Sequence, residues 1–141
     1  MTLVDVGLWL AATYERHSHH RAAAAWFESQ SDSLLMCRVT QTGLLRLLSN
    51  PAVMGADALS RSAAWRVLDQ INGDERVRWA DEPTALEQVF RALSARDDRS
   101  HKLWTDDYLA AFAQASGVAF ASLDRKLAAR YPSVEVVTVF A

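Results

Sequence analysis

The sequence is poor in the residues that mark a disulfide-stabilised, membrane-spanning or disordered chain. Its 141 residues include one cysteine, three prolines and five glycines. The single cysteine, Cys37, cannot form an internal disulfide, and its place after the apolar run 34–36 predicts a buried structural thiol. No apolar run approaches the roughly 20 residues that a membrane-spanning helix requires, so we expect no membrane segment.

An excess of positive charge is also missing, since the formal net charge is −2. Proteins that bind nucleic acid mainly through bulk electrostatics are strongly basic, so any nucleic-acid substrate of this chain must be held by local groups. Of the 15 cationic side chains only Lys102 and Lys126 are lysines, and the remaining arginines have a planar fork that suits phosphate. The start of the chain lacks a basic leader, and with the lone cysteine this favours a cytoplasmic protein.

The composition is that of an ordinary globular protein, with 50% hydrophobic and 23% charged residues. No Pro-, Gly- or Ser-rich stretch and no block of like charge divides the chain. A chain of this length can bury a core without metal or disulfide support. We therefore predict a single domain over residues 1–141.

Short strand patterns alternate with longer helical patterns. The strand patterns lie at Thr2–Val6, Leu34–Val39, Val118–Ser122 and Val134–Val139, with a short edge strand at Val77–Ala80. The helical patterns include one capped by Thr40, one over Asp57–Asn72, one from Pro83 to Ala95, one capped by Thr105 and one over Arg125–Arg130. Strands that alternate with helices predict an α/β fold with a mostly parallel sheet and helices on both faces.

Three aspartates lie at junctions between these elements: Asp5 after the first strand, Asp106 at a helix start and Asp124 after a later strand. Each also has a structural explanation. Asp5 and Asp124 could cap helices, and Asp106 could simply complement the positive end of a helix dipole. Asp107 lies about 100° further around the same helix, so we treat Asp106 as the better ligand candidate.

In functional terms, this pattern is interpreted as a metal site. Carboxylates that follow different strands of one parallel sheet can converge at its carboxyl edge. Like charges there oppose ionisation unless a cation lies between them, and carboxylate oxygens are ligands for Mg²⁺ or Mn²⁺. The three aspartates therefore indicate a metal-dependent enzyme that cleaves phosphodiester bonds.

Four segments occur in a fixed order along the chain: LVDV at 3–6, VTQTGLLRLLSNP at 39–51, HKLWTDDYL at 101–109 and ASLDRKL at 121–127. Together they span most of its length. In this ordered set the chain resembles a PIN-domain ribonuclease toxin of the VapC type, a component of type II toxin–antitoxin systems. The resemblance implies a PIN-like three-layer α/β/α fold with four to five strands in the central sheet.

The resemblance also implies the site and its partners. Asp5, Gln41, Asp106 and Asp124 take the positions of the family's metal-binding residues, for one or two Mg²⁺ or Mn²⁺ ions. The implied activity is hydrolysis of RNA, such as tRNA, by metal-activated water. The implied partners are a cognate VapB-type antitoxin and a second copy of the chain. Trp9, Trp26 and Trp65 are candidates for a groove that accepts an antitoxin segment.

Two departures from the family pattern bear on activity. Gln41 stands where the family usually has Glu, which removes one negative charge from the expected ligand set, and Gly7 stands where Asn is usual. The alternative function is therefore a catalytically weakened PIN-like module that binds RNA or protein. A phosphoacceptor domain is disfavoured because Asp5 has no acidic neighbour.

Four further residues near the acidic segments are candidates for substrate binding. Arg46, Lys102 and Arg125 can bind phosphates that flank the cleaved bond, and Thr105 can orient a water molecule at the site. Solvated surface residues and a helix cap are the alternative explanations for these positions.

Overall fold

The computed structural model describes residues 1–140, so Ala141, the last residue of the predicted domain, lies outside the described residues. The elements follow the order β1 (Thr2–Val4), α1 (Val6–Thr13), α2 (His20–Ser29), β2 (Leu34–Met36), α3 (Arg38–Leu48), α4 (Pro51–Met54), a 3₁₀ turn (Gly55–Asp57), α5 (Arg61–Asn72), β3 (Val77–Trp79), α6 (Leu86–Ser94), α7 (Trp104–Ser116), β4 (Ala119–Ser122), α8 (Leu127–Arg130) and β5 (Val136–Thr138). Across residues 1–140, the helices are too short or too polar to cross a membrane.

Five parallel strands form the central sheet in the order β3-β2-β1-β4-β5. This confirms the predicted parallel sheet and the predicted edge strand at β3. The first strand lies in the middle, where Val4 is paired with Ala121 of β4. The carboxyl ends of β1 and β4 are therefore neighbours, and residues that follow these strands meet at one edge of the sheet.

Helices cover both faces of the sheet. Neighbouring residues of a strand point to opposite faces, and Leu3 and Val4 accordingly belong to two separate hydrophobic clusters. The cluster around Val4 includes buried leucines of α1, α3 and α5, and the cluster around Leu3 includes buried residues of α6, α7 and α8. Three layers, helix on sheet on helix, follow from this arrangement.

The first two strands are shorter than the sequence predicts. The predicted strand Thr2–Val6 ends at Val4, and the predicted strand Leu34–Val39 ends at Met36. The β-branched Val6 instead begins α1 and packs on α3 beside Gly43, where an added Cβ would lie 3.0 Å from a Val6 methyl group. Tertiary packing of two helices therefore overrides the local strand preference of valine.

Several predicted helix starts are also wrong. Thr40 does not cap α3 but is buried within it, with its hydroxyl 3.3 Å from the Cys37 sulfur. Helix α5 begins at Arg61 and not at Asp57, and the hydroxyl of its N-cap, Ser60, accepts a hydrogen bond from the Ala63 amide at 3.1 Å.

Four later elements also begin at residues other than those predicted. The helix predicted from Pro83 begins at Leu86, and the helix predicted from Arg125 begins at Leu127. Helix α7 begins one residue before the predicted cap Thr105. The last strand is limited to Val136–Thr138. These ends depend on turns and side-chain contacts that the hydrophobic pattern does not contain.

One buried polar pair joins α7 to the turn after α8. Asp107 and Tyr131 are 7% and 0% exposed, and the tyrosine hydroxyl donates a hydrogen bond to the carboxylate. A carboxylate buried without such a donor is costly. The pair therefore fixes the start of α7, including the neighbouring Asp106, relative to the segment after β4.

We expect Tyr131→Phe to lower the free energy of unfolding by about 1–3 kcal/mol, because Asp107 is then buried without its donor. Tyr14→Phe is the matched control, since Tyr14 also donates to a carboxylate, that of the partly exposed Asp57, at 2.7 Å. Water can replace the Tyr14 hydroxyl as a donor to Asp57, so Tyr14→Phe should lower the free energy of unfolding by less than Tyr131→Phe does. Urea unfolding measures both, and equal losses for the two variants contradict the assignment.

Candidate active site

Asp5 lies at the point where β1 gives way to α1. Its amide donates to the Ala121 carbonyl of the neighbouring strand at 2.9 Å, which continues the sheet by one residue. Its carboxylate then caps α1, with Oδ1 accepting a hydrogen bond from the Val6 amide at 2.8 Å. The helix-capping role, which the sequence analysis gave as the alternative to metal binding for Asp5, is thus present. This cap holds the carboxylate at the carboxyl edge of the sheet.

A serine that the sequence analysis did not select links two of the aspartates. Ser122, at the end of β4, is 1% exposed. Its hydroxyl donates to Oδ2 of Asp5 at 2.7 Å and accepts from the Asp124 amide at 3.0 Å. A hydroxyl at the end of an otherwise apolar strand, two residues before an acid, was the available signal. Ser122 is therefore a positioning residue for Asp5 and for the turn that carries Asp124.

Asp124 itself is exposed on the turn between β4 and α8. Its Oδ1 accepts a hydrogen bond from the Lys126 amide at 2.9 Å, which is again the capping role expected from the sequence. Ser122, which bonds both the Asp5 carboxylate and the Asp124 amide, holds this turn next to Asp5, and the charge of Asp124 contributes to raising the pKa of Asp5.

Asp106 completes the group from the first turn of α7. Its side chain is 28% exposed. Burial, and then the charges of Asp5 and Asp124, raise its pKa to about 6, although Arg130, with its guanidinium nitrogen 3.9 Å from Oδ2, acts in the opposite direction. Burial and like charge together therefore oppose ionisation of Asp106.

Asp5 has a raised pKa for similar reasons. Burial is the largest cause, and the charge of Asp124 adds to it, whereas the hydrogen bonds from Ser122 and the Val6 amide act to lower the pKa.

Asp107, unlike Asp106, turns into the core toward Tyr131. The structure thus separates the two neighbouring acids of α7 as the helix geometry predicted.

The three aspartates are near one another without forming a closed set of ligands. Within residues 1–140, no group of three His, Cys, Asp or Glu side chains is spaced to hold a metal ion. Two of the carboxylates use one oxygen to cap the helix or turn that follows them. Their assignment as metal ligands therefore stays a prediction.

Gln41, the fourth predicted site residue, is buried in the first turns of α3. Its Oε1 accepts a hydrogen bond of 2.6 Å from Arg38, whose guanidinium lies 4.6 Å from the centre of the Trp79 ring. Arg38 was not selected from the sequence. Its bond engages the glutamine oxygen that was expected to face a metal or its water, so the role of Gln41 stays a prediction.

Gly7 is the second departure from the family pattern, and a Cβ added at this position would meet open space.

The predicted substrate-binding residues fall into two groups. Arg46 and Thr105 line one cavity of about 420 Å³ together with Val6. Val6 and Thr105 are the chain neighbours of Asp5 and Asp106, although neither acid lines this cavity. Lys102 is exposed in the segment before α7, and Arg125 lies with its guanidinium 4.9 Å from the Phe140 ring. Arg46 and Thr105 are thus the two predicted substrate-binding residues that share a cavity.

Comparison with known proteins agrees with this arrangement. The PIN domain family matches residues 2–132. The chain is 38% identical to Ribonuclease VapC41 of Mycobacterium tuberculosis over 130 residues, which covers 88% of this chain and 89% of that relative.

Solved structures share the fold at lower identity. VapC20 of Mycobacterium tuberculosis, described as a sarcin–ricin loop cleaving toxin, has a TM-score of 0.68 at 18% identity and covers 92% of this chain and 94% of its own. VapBC2 of Rickettsia felis, bound to a DNA fragment from its promoter, has a TM-score of 0.70 at 10% identity and covers 97% of each chain. These confirm the predicted PIN-like α/β/α fold.

The family match and the VapC41 relative agree with the ordered motifs and the parallel sheet. The resemblance inferred from the sequence is therefore confirmed, and the chain belongs to the PIN domain family as a relative of its VapC-type members.

Proposed function

We propose that this protein is a divalent-metal-dependent endoribonuclease and the toxin of a VapBC-type toxin–antitoxin pair. The observation that carries the proposal is the convergence of Asp5, Asp106 and Asp124 from three separate segments on one sheet edge, where burial and mutual repulsion raise the pKa of Asp106 to about 6. A fold does not maintain such repulsion for stability, and functional sites commonly show it.

The donor chemistry fits Mg²⁺ or Mn²⁺, which prefer oxygen ligands. Asp5, Asp106 and Asp124 are the residues that would hold the ion, and rotation of the half-buried and exposed side chains of Asp106 and Asp124 can bring their oxygens closer. When bound, such an ion lowers the pKa of a water molecule and neutralises charge on the phosphate that is attacked.

The chain's own residues orient the site and hold the substrate. Ser122 fixes the rotation of the Asp5 carboxylate, and Arg130 lies close enough to Asp106 to limit its movement. Arg46 lines the adjacent cavity and offers a guanidinium to an RNA phosphate, while the Thr105 hydroxyl in the same cavity can hold a water molecule. Lys102 and Arg125 remain candidates for more distant phosphates.

The partners follow by analogy with the relatives. The name of the Rickettsia felis structure describes a VapBC pair, and we propose a VapB-type antitoxin, self-association and an RNA substrate such as tRNA for this chain in the cytoplasm. Trp9 is a poor candidate for the antitoxin groove, because it is 3% exposed and packs on Phe27 with ring centres 5.0 Å apart.

The second candidate function is a PIN-like module that binds RNA or protein with little catalysis. The bond between Arg38 and Gln41 favours it, because a neutral amide already engaged by a guanidinium contributes no charge to an ion site. The two functions differ in whether purified protein cleaves RNA when a divalent ion is added.

Purified, antitoxin-free protein is expected to cleave total RNA with Mg²⁺ or Mn²⁺ and to stop when a chelator is added. Asp5→Asn and Asp124→Asn should each reduce the rate by at least about 100-fold, since each removes a carboxylate from the ion. Gel analysis of the RNA measures this. Asp69→Asn, at an exposed acid on α5, is the control that should keep the wild-type rate. Cleavage that survives in both site variants rules out the mechanism.

Gln41→Glu tests the missing charge. We expect it to lower the Mg²⁺ concentration for half-maximal cleavage by about tenfold, because a further carboxylate attracts the ion. Arg38 will compete for that carboxylate, so the effect should grow in the background of Arg38→Ala. A titration of cleavage rate against Mg²⁺ measures it, and no change in either background means that residue 41 is not part of the ion site.

Asp106→Asn should stabilise the metal-free protein at pH 7, by about 1–3 kcal/mol, while it abolishes metal-dependent cleavage. Because the folded pKa of about 6 lies above the ordinary value of 3.8, the folded state binds the proton more tightly, and stability falls as pH rises between these values. Asp106→Asn has no carboxyl group at this position, so its free energy of unfolding should not show this fall as the pH rises.

Thermal unfolding between pH 4 and pH 8 in chelator measures the difference. Mg²⁺ should raise the melting temperature of the wild type at pH 7 and leave that of Asp106→Asn nearly unchanged. A variant that is less stable than the wild type at pH 7 and retains the same pH dependence contradicts the assigned repulsion.

A further inference from the structure

An exposed tryptophan lies beside two arginines on the helical layer formed by α3 and α5. Trp65 is 48% exposed, although it belongs to an amphipathic helix with a well-buried opposite side. Arg61 lies one turn earlier on the same face of α5. Together with Arg46 of α3 and Ser49, which follows α3, they line a cavity of about 270 Å³, which we call the Trp65 cavity.

The charge of the Trp65 cavity differs from that of the whole chain. The chain has a net charge of −2, but the residues that line this cavity include two arginines and no acid. Among the ion pairs of residues 1–140, neither Arg46 nor Arg61 is joined to a carboxylate. Both guanidinium groups are thus available to an anion from outside the protein.

The Trp65 cavity shares one lining residue with the cavity that contains the chain neighbours of two proposed ligands. Arg46 lines it and also lines the larger cavity that contains Val6 and Thr105. These two residues adjoin Asp5 and Asp106 in the chain. A polymer bound at the acids can therefore pass Arg46 and reach Trp65.

From this arrangement, and resting on the proposed ribonuclease function, we propose that Arg46, Arg61 and Trp65 form a subsite for RNA that flanks the cleaved bond. An unpaired base stacks on the exposed indole, and the two guanidinium groups bind the adjoining phosphates. Aromatic rings and arginines in combination are the usual means of holding single-stranded nucleic acid in a groove. The occupant is thus single-stranded or looped RNA.

A second copy of the chain is the competing occupant, and charge disfavours it. In a symmetric contact centred on this cavity the same patch faces itself, so Arg46 and Arg61 of each copy meet those of the other. Such a contact has no carboxylates from the cavity to balance four guanidinium groups. An RNA backbone supplies the balancing charge directly.

Binding of a labelled 12-nucleotide single-stranded RNA to metal-free protein in chelator tests the subsite without requiring cleavage. We expect Trp65→Ala to weaken binding by about tenfold, whereas Trp65→Phe, which keeps a ring for stacking, should remain within about threefold of the wild type. Fluorescence anisotropy measures both, and circular dichroism confirms that each variant is folded.

Arg61→Ala should also weaken binding, and it should reduce the slope of log affinity against log salt by about 0.7, which is one phosphate contact to a single strand. Arg66→Ala removes the same charge from an exposed neighbouring position that does not line the cavity, so it should keep the wild-type slope.

Cleavage of the same RNA with Mg²⁺ separates this proposal from the proposed function. If the wild type cleaves but Trp65→Ala and Arg61→Ala bind the 12-nucleotide RNA normally, the proposed subsite is wrong and the proposed ribonuclease function is supported. If the variants lose RNA binding but the wild type does not cleave, the proposed subsite is supported and the proposed ribonuclease function is wrong. A fall in molar mass by sedimentation for either variant shows a self-association surface and overturns the subsite.

Discussion

The burial of acidic side chains at the carboxyl edge of the sheet is the constraint on which the rest of the site depends. Asp5, Asp106 and Asp124 come from different segments; burial is the largest cause of the raised pKa of Asp5 and of Asp106, and the charge of Asp124 adds to both. The fold holds them there through bonds that each acid makes locally: Asp5 caps α1, Asp124 closes a turn, and Asp106 follows a helix start anchored by its neighbour Asp107. A bound cation is the natural counterpart of this arrangement.

Structural and functional roles coincide in these residues. A cap uses one carboxylate oxygen and fixes the side chain, which limits the conformational freedom lost when a ligand binds. Ser122 adds to this effect, because its hydroxyl connects Asp5 to the backbone of Asp124. The capping explanations that the sequence offered as alternatives to a metal site therefore describe how such a site is held in position.

The surroundings of the acids define where a substrate can lie. The cavity that contains Val6 and Thr105 is also lined by Arg46, and Arg46 lines the Trp65 cavity as well. In a chain with a net charge of −2, this is a local grouping of positive charge near the proposed acidic site. The side-chain oxygen of Gln41 accepts a hydrogen bond from Arg38.

The sequence by itself determined the α/β class, the parallel sheet, the PIN-type motif order and the three aspartates, because hydrophobic periodicity and short motifs are local properties. Only the tertiary structure decided that Val6 belongs to a helix, since it packs beside Gly43 of a distant helix. The bond between Gln41 and Arg38 joins residues three apart on one helix, but which side-chain conformations form it is not specified by the sequence pattern. The role of Ser122 and the joining of Arg46, Arg61 and Trp65 depend on contacts between segments far apart in the chain, which no local pattern encodes.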